Sequence, residues 1–430
     1  MRRLVTIAAA LAAAGLTGAP AAAAAQTVAI TGATIHPVSG PRIENGTVVI
    51  RDGKIAAVGA NVPVPADARR IDAAGKVVTP GFINSGTSLG VVDIGAVSTT
   101  RDVNARGKEQ IAASFTVWDG LNPANVLIPP ARADGITSVV VVPGGGLIAG
   151  QAALVDLAGT TVTELVRKAP VGMLAQIENA QAAGVASRGE LLGKLREVLT
   201  DARTYRQKRS AYESAGLRTL TASRADLEAL LPVLDRREPL IIACDRASDI
   251  QAVLRLGREF GLRLVIAGGA EAWEVAPDLA AAKVPVLTGA MNNIPDSFAS
   301  LGQRQENAGL LAKAGVNVAL VGNAGGGDEE LFNVRNVRYE AGNAVSYGMT
   351  WEQALRAVTL TPAEIFGVAD RVGALKAGMD ANLVVWSGDP FEFATRAEHV
   401  FIRGVEHNEP TRQDLLIQRY RTVPPSYFRP

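Results

Sequence analysis

The chain has 430 residues, room for two or three domains at about 150 residues each. Its 43 Lys and Arg against 42 Asp and Glu leave a net charge of +1, and without a basic stripe or an acidic tail this argues against a nucleic-acid partner. The one cysteine, Cys244, excludes an internal disulfide, and the three histidines, His36, His399 and His407, leave none from residue 37 to residue 398, which excludes most histidine chemistry from the middle of the chain.

Residues 1–25 open on Arg2 and Arg3, continue through an apolar run from Leu4 to Leu16 and close on Ala23, Ala24 and Ala25. This is the layout of a secretory signal, expected to be cut before Gln26. The run is shorter than the ~20 residues that span a bilayer. The rest of the chain is therefore expected to be free of the membrane and, in a cell with two membranes, to reside in the periplasm. From Val28 to Ile71 short alternating runs are broken by turn residues, with Asp52-Gly53 between two of them, which predicts a small antiparallel sheet.

From Val77 the texture changes. The apolar bursts VVTPGFI, TSVVVVP, VGMLAQI, EPLIIAC, LRLVIAG, VPVLTGA and VNVALVG alternate with longer helix-like stretches. Such bursts predict parallel strands covered on both faces, hence a (β/α) barrel or an open doubly wound sheet. Helices are expected over 188–212, 223–234, 248–260 and 351–359, the last with Thr350 as its N-cap and Glu352 in its first turn. After Thr361-Pro362 the runs ANLVVW and HVFIRG return to a strand pattern and look able to complete the N-terminal sheet. The final residues, with Pro410, Pro424, Pro425, Tyr427 and Phe428, read as an extended tail.

Three stretches carry a resemblance. GTVVIRDGKIAAVG, GKVVTPGFINSGTSLG and ALRAVTLTPAEIFGVADRVGALKAGMDANLVVWSGDPF resemble the beginning, first barrel strand and end of amidohydrolase-superfamily proteins, closest to the imidazolonepropionase-like and prolidase-like branch. The resemblance runs from Val28 to Gly404. It implies an α/β fold: a (β/α)8 TIM-type barrel over 77–369, a composite β-sandwich built from 26–76 and 370–408, and a tail over 409–430, with the site at the C-terminal ends of the barrel strands. Members of the family hydrolyse amide, ester or related bonds with water on one or two divalent metals, held by histidines, a carboxylated lysine or Glu, and an Asp. Imidazole and carboxylate suit zinc because they leave a position open for water, whose pKa falls to about 7.

Here the motif positions carry other residues. The family's Gly-Phe-Ile-Asp-x-His-x-His reads Gly81-Phe82-Ile83-Asn84-Ser85-Gly86-Thr87-Ser88, so Gly86 and Ser88 replace both histidines. By the same resemblance Ala243 and Gly268 stand where further histidines are expected, and Met173 stands where a lysine is. Asn323 stands where the eighth strand carries the Asp that is also general base; an amide there hydrogen-bonds but takes no proton from water. Glu178-Asn179 keeps a Glu-Asn pair of close relatives. The resemblance thus implies a vestigial ligand set at Gly86, Ser88, Ala243, Gly268 and Asn323, with no metal or other cofactor expected.

Other chemistry is limited. A nucleophilic triad lacks its base in the barrel, and Cys244, between positions 243 and 245 that face inward in relatives, is expected to pack outward under a helix. Glu178, Asp245, Asp93, Asp102 and Asp328 lie on or beyond expected strand ends; an inward Asp245 requires a partner, Arg246 or a cation on a ligand. The stretches PGGGLIAGQ and GNAGGGDEE lack the spacing of phosphate or dinucleotide loops, and Gly150-Gln151 is open between pocket wall, subunit contact and plain loop.

Two readings follow. The first is a non-catalytic binding or partner subunit, a homo-oligomer or assembled with a metal-intact relative, with a small molecule or peptide in the emptied pocket. The second is a C–N hydrolase that uses a carboxylate site around Glu178 and Asp245, with Asn323 as a further candidate residue. The tail, with Arg412, Arg419, Arg421 and Tyr420, either docks on a neighbouring subunit or stays free.

Overall fold

The computed structural model describes residues 26–178, 185–216, 218–291, 294, 295, 297–322 and 333–421. The alternating N-terminal runs form a sheet. β1 (Val28–Ile35) pairs antiparallel with β2 (Ile43–Arg51), which turns into β3 (Lys54–Gly59) through Asp52 and Gly53 at φ +51° and +76°. Positive φ at both central residues matches the twist of the paired strands, which is the physical use of the Asp-Gly step. β4 (Arg69–Asp72) and β5 (Val77–Pro80) run parallel to the two halves of β1. The burst VVTPGFI is therefore divided: its first half stays in this sheet and its second half opens the barrel.

The barrel sheet takes its strands in chain order: β6 (Phe82–Thr87), β7 (Ile136–Val141), β8 (Ile148–Asp156), β9 (Val166–Gln176), β10 (Leu240–Cys244), β11 (Leu264–Gly268), β12 (Val286–Thr288) and β13 (Val318–Leu320), curled so that β13 lies against β6. Ile83, Val140, Leu154, Ile241, Val265 and Leu287 fill its interior, as a packed core rather than a pore. A larger core lies between the strands and outer helices such as Arg188–Gln207 and Ala247–Phe260. The chain then returns through β14 (Leu383–Trp386), β15 (Ala397–Ile402) and β16 (Val405–Glu406), giving the order β16-β15-β14-β5-β1-β2-β3 with β4 beside β1. Both ends of the chain thus build one sheet beside an α/β barrel.

One strand departs from the expected parallel pattern. β8 runs antiparallel to both β7 and β9. It is reached through residues 142–147 and left through 157–165, and both links are shorter than the dozen or so residues of a parallel crossover. The reversal carries Asp156, the last residue of β8, to the face of the barrel that meets the sandwich. There Arg167, at the start of β9, donates through Nη2 to Asp156 (2.6 Å) and through Nη1 to Asp380 (2.6 Å).

The helices follow the pattern with breaks. The stretch 188–212 splits into Arg188–Gln207 and Arg209–Glu213, and 223–234 splits into Arg224–Ala229 and Leu231–Leu234, where Pro232 interrupts the ladder. Thr350 caps Trp351–Ala357 in a capping box closed by Gln353. The tail differs from the expected extended form: Arg412–Tyr420 is a helix, capped by Thr411 with Asp414 returning the bond. A capping box followed by Leu, Gln and Arg outweighs the flanking prolines. Pro424, Pro425, Tyr427 and Phe428 lie outside the described residues, as do residues 1–25. Among the described residues no helix is long and apolar enough to cross a membrane.

Candidate functional site

At the end of β6 the Asn84 side chain shapes the strand. Its Nδ2 donates to the Val334 carbonyl (3.0 Å) and its Oδ1 accepts the Gly86 N–H (3.2 Å), an Asx-type bond that bends the backbone locally. Among the described residues, a Cβ on Gly86 would have only Val321 Cγ1 within 4 Å, at 3.8 Å, so toward them this position is open. Ser88 is half-buried and starts the turn out of the strand, its carbonyl accepting the N–H groups of Val91 and Val92. Ser85, between Asn84 and Gly86, is buried, and its hydroxyl has no partner among the described residues.

The ends of β9, β10 and β11 converge. Asp245 follows β10 directly; its Oδ1 accepts the Ala270 N–H (3.0 Å) and its carbonyl accepts the Glu271 N–H (2.9 Å). Gly268 closes β11 at φ +84°, and a Cβ on it would stand 2.6 Å from Asp245 Oδ1 and 3.6 Å from Glu178 Oε1. Two carboxylates that follow different strands therefore approach one point, and Asp245 takes up the room that a side chain on residue 268 would need. Ala243, half-buried, precedes Cys244 on β10. Cys244 belongs to the outer core, where burial and then the charges of Glu178 and Asp245 push its thiol well above its ordinary value. It is a protonated packing residue and not a nucleophile.

Several supports gave no motif in the sequence. Asn307 donates to the Gly269 carbonyl (2.9 Å) and accepts the Trp273 N–H (3.1 Å), and Glu271 accepts the N–H groups of Ala247 and Gly302, each at 3.0 Å. Glu340, 1% exposed, accepts the N–H groups of Ala290 and Met291 (2.5 and 2.7 Å) and so holds the loop after β12. Asn307 follows Arg304-Gln305-Glu306 and Glu340 follows Arg338-Tyr339, so each reads in sequence as part of a polar run and nothing local marks it as buried.

Other expected positions lie elsewhere. Met173 is buried in the outer core while Leu174 packs on the interior cluster, so the position assigned to the family lysine does not open into the barrel; strand alternation decides this. Asp93 is held by Asn125 (2.6 Å) and Asn122 (3.3 Å), and Asp102 is exposed. Gln151 donates to the Ala113 carbonyl (3.1 Å) and Gln176 to the Gly146 carbonyl (2.5 Å), so the first glycine-rich stretch knits the 110–116 segment to β8 and β9. Asn179, Asn323, Asp328 and the second glycine-rich stretch beyond Gly322 lie outside the described residues.

The histidines belong to the sandwich and its edge. His36 stacks on Trp351 with ring centroids 4.2 Å apart, and burial, then Arg42, holds its pKa below the ordinary value. His399 Nδ1 lies 2.6 Å from Glu406 Oε1. Among the described residues no group of three or more His, Cys, Asp or Glu side chains is placed to hold a metal ion. A pair of carboxylates without imidazole is a hard-oxygen donor set and does not fit the zinc of a metal-dependent hydrolase.

Comparison with known proteins follows the same outline. The amidohydrolase family pattern matches residues 253–407. In space the chain is similar to the crystal structure of an amidohydrolase from Thermotoga maritima MSB8, with a TM-score of 0.80 and 29% identity, covering 89% of this chain and 100% of that one. By sequence it is similar to amidohydrolase tasK of Hapsidospora irregularis, 24% identical over 396 residues, which are 84% of this chain and 39% of that protein. It is also similar to a dihydroorotase of Anaeromyxobacter sp. (strain K), 32% identical over 162 residues, which are 37% of this chain and 31% of that protein. The matches span two fifths or less of the length of these curated relatives. The barrel and the sheet built from both chain ends thus give this chain the architecture of the Thermotoga maritima amidohydrolase, and its residues 253–407 carry the amidohydrolase family pattern.

Proposed function

We propose that this protein keeps the amidohydrolase architecture without metal-dependent hydrolysis, and serves as a binding or partner subunit beside a metal-intact relative in the periplasm. The observation that carries the reading is Gly268: its left-handed backbone and the Asp245 carboxylate 2.6 Å from its missing Cβ occupy the place of a ligand side chain. The absence of histidine from 37 to 398 extends the same argument to Gly86, Ser88 and Ala243. The space left beside Gly86 suits a small molecule or a peptide end.

Metal content measured by plasma mass spectrometry, on protein purified without chelator or affinity metal, is expected below about a tenth of an equivalent of any transition metal. Near one equivalent would overturn the reading. For the partner role, light scattering of an equimolar mixture with a metal-intact amidohydrolase of the same cell is expected to show a joint species, and two unchanged separate species would remove it.

The convergence of Glu178 and Asp245 on Gly268 favours one second reading, a carboxylate-based C–N hydrolase. General acid–base work by such a group contributes about 10²–10⁴-fold. If a panel of N-acyl amino acids and dipeptides is turned over, Glu178→Gln is expected to cut the rate by about that factor under this reading. An unchanged rate would discard it.

A further inference from the structure

A second recess shares no residue with the barrel mouth. Between helix Val337–Ser346 and the 387–396 link from β14 to β15 lies a groove of about 380 Å³, whose walls include Tyr339, Trp351, Phe391, Phe393, Asp389 and Glu392. Aromatics make up only 5% of the chain, yet four rings meet here. Tyr339 and Phe393 are 5.5 Å apart and Trp351 and Phe391 5.2 Å, while Phe393 is left 84% exposed. The charged side chains lining the groove are both carboxylates. Asp389 accepts from neutral donors, Trp351 Nε1 and the Phe391 N–H, each at 3.0 Å, and neither Asp389 nor Glu392 joins an ion pair among the described residues.

The surrounding charges do not cancel this. Arg338, 1% exposed, stacks on Tyr339 at 4.9 Å but donates its Nη2 to the carbonyls of Glu392 and Thr395, and its charge is opposed by Asp134. On the His36 side of Trp351, Arg42 is paired with Glu44, which leaves Glu352 as a further negative group. Ring faces carry negative potential, so rings edged by uncompensated carboxylates attract a cation with apolar flanks.

We propose that this groove is a binding site for an organic cation, an alkylguanidinium or alkylammonium group seated against the rings and neutralised by Asp389 and Glu392. The same group is carried by a free small molecule or by an Arg or Lys side chain of a polypeptide.

The test uses the full chain and its tryptophan fluorescence, since Trp351 lines the groove. Butylguanidinium is expected to give a saturable change at about millimolar concentration, and the neutral isostere butylurea none. Asp389→Asn keeps the acceptor for Trp351 and Phe391 and is expected to weaken binding about fivefold, and Phe393→Ala about threefold, with unchanged thermal transitions. An equal response to butylurea, or binding that survives both substitutions, overturns the site. An end-capped Gly-Arg-Gly peptide separates the sources: binding tighter than butylguanidinium assigns the cation to a polypeptide, and equal binding assigns it to a free small molecule.

Discussion

Arg167→Ala is expected to lower the unfolding free energy by about 3–5 kcal/mol in a urea titration at neutral pH. The side chains it joins are withdrawn from solvent: Arg167 is 7% exposed, Asp156 1% and Asp380 6%. Cutting the guanidinium away leaves two buried carboxylates short of charge. Among the described residues Asp156 keeps Ser138 (2.8 Å), Asn382 (3.3 Å) and the more distant Arg403 (3.6 Å), and Asp380 keeps Lys54 (3.0 Å) and Arg371 (2.9 Å). A loss below about 1 kcal/mol would make the link between barrel and sandwich no stronger than a surface ion pair.

The same network sets an acid limit. Burial pushes the Asp380 carboxyl up, but hydrogen bonds from Arg167, Arg371 and Lys54 outweigh it and hold the group down from 3.8 to about 2. A carboxylate depressed in the folded state contributes stability above its unfolded pKa and loses it as pH falls. The window is therefore from about 4 down to about 2, and the full contribution near neutral pH is about 2 kcal/mol. Unfolding free energies at pH 5 and pH 3 are expected to differ less in Arg167→Ala than in the native protein.

Gly268→Ala is the second large effect, with an expected loss of about 1–3 kcal/mol. An alanine at φ +84° is strained, and its Cβ would meet Asp245 Oδ1 at 2.6 Å. Gly86→Ala, whose Cβ has one ordinary contact at 3.8 Å, is expected to change stability by less than about 0.5 kcal/mol. Thermal unfolding of the two variants side by side checks the pair. Equal transitions would mean that Gly268 relaxes freely, and the claim that this position no longer admits a side chain would fall. If the contrast holds, a histidine restored at 86 is tolerated and one at 268 is not.

How far the residues alone carry can be judged from particular elements. The β2–β3 hairpin was legible because Asp52-Gly53 is a local signal, and the cap at Thr350 for the same reason. The return of β14 and β15 to the N-terminal sheet was legible from their strand pattern. The order of partners was not, since β1 divides its edge between β4 and β5, a choice made by packing. The tail helix was hidden because prolines on either side weigh against it, while its cap depends on one Thr–Asp exchange.

The site divides along the same line. A histidine census is pure sequence, as is the presence of Gly86, Ser88, Ala243 and Gly268 on strand-like runs. That Glu178 and Asp245 face one another across Gly268 needs the curl of the sheet, which brings the ends of β9, β10 and β11 together from positions far apart in the chain. The reversal of β8, which sends Asp156 to Arg167 and Asp380, follows from link lengths but acquires its energy only where the barrel meets the sandwich. Composition, turns and caps are short-range and survive in a one-dimensional reading. Which buried charges meet is long-range, and it is settled by which strands the packed core sets side by side.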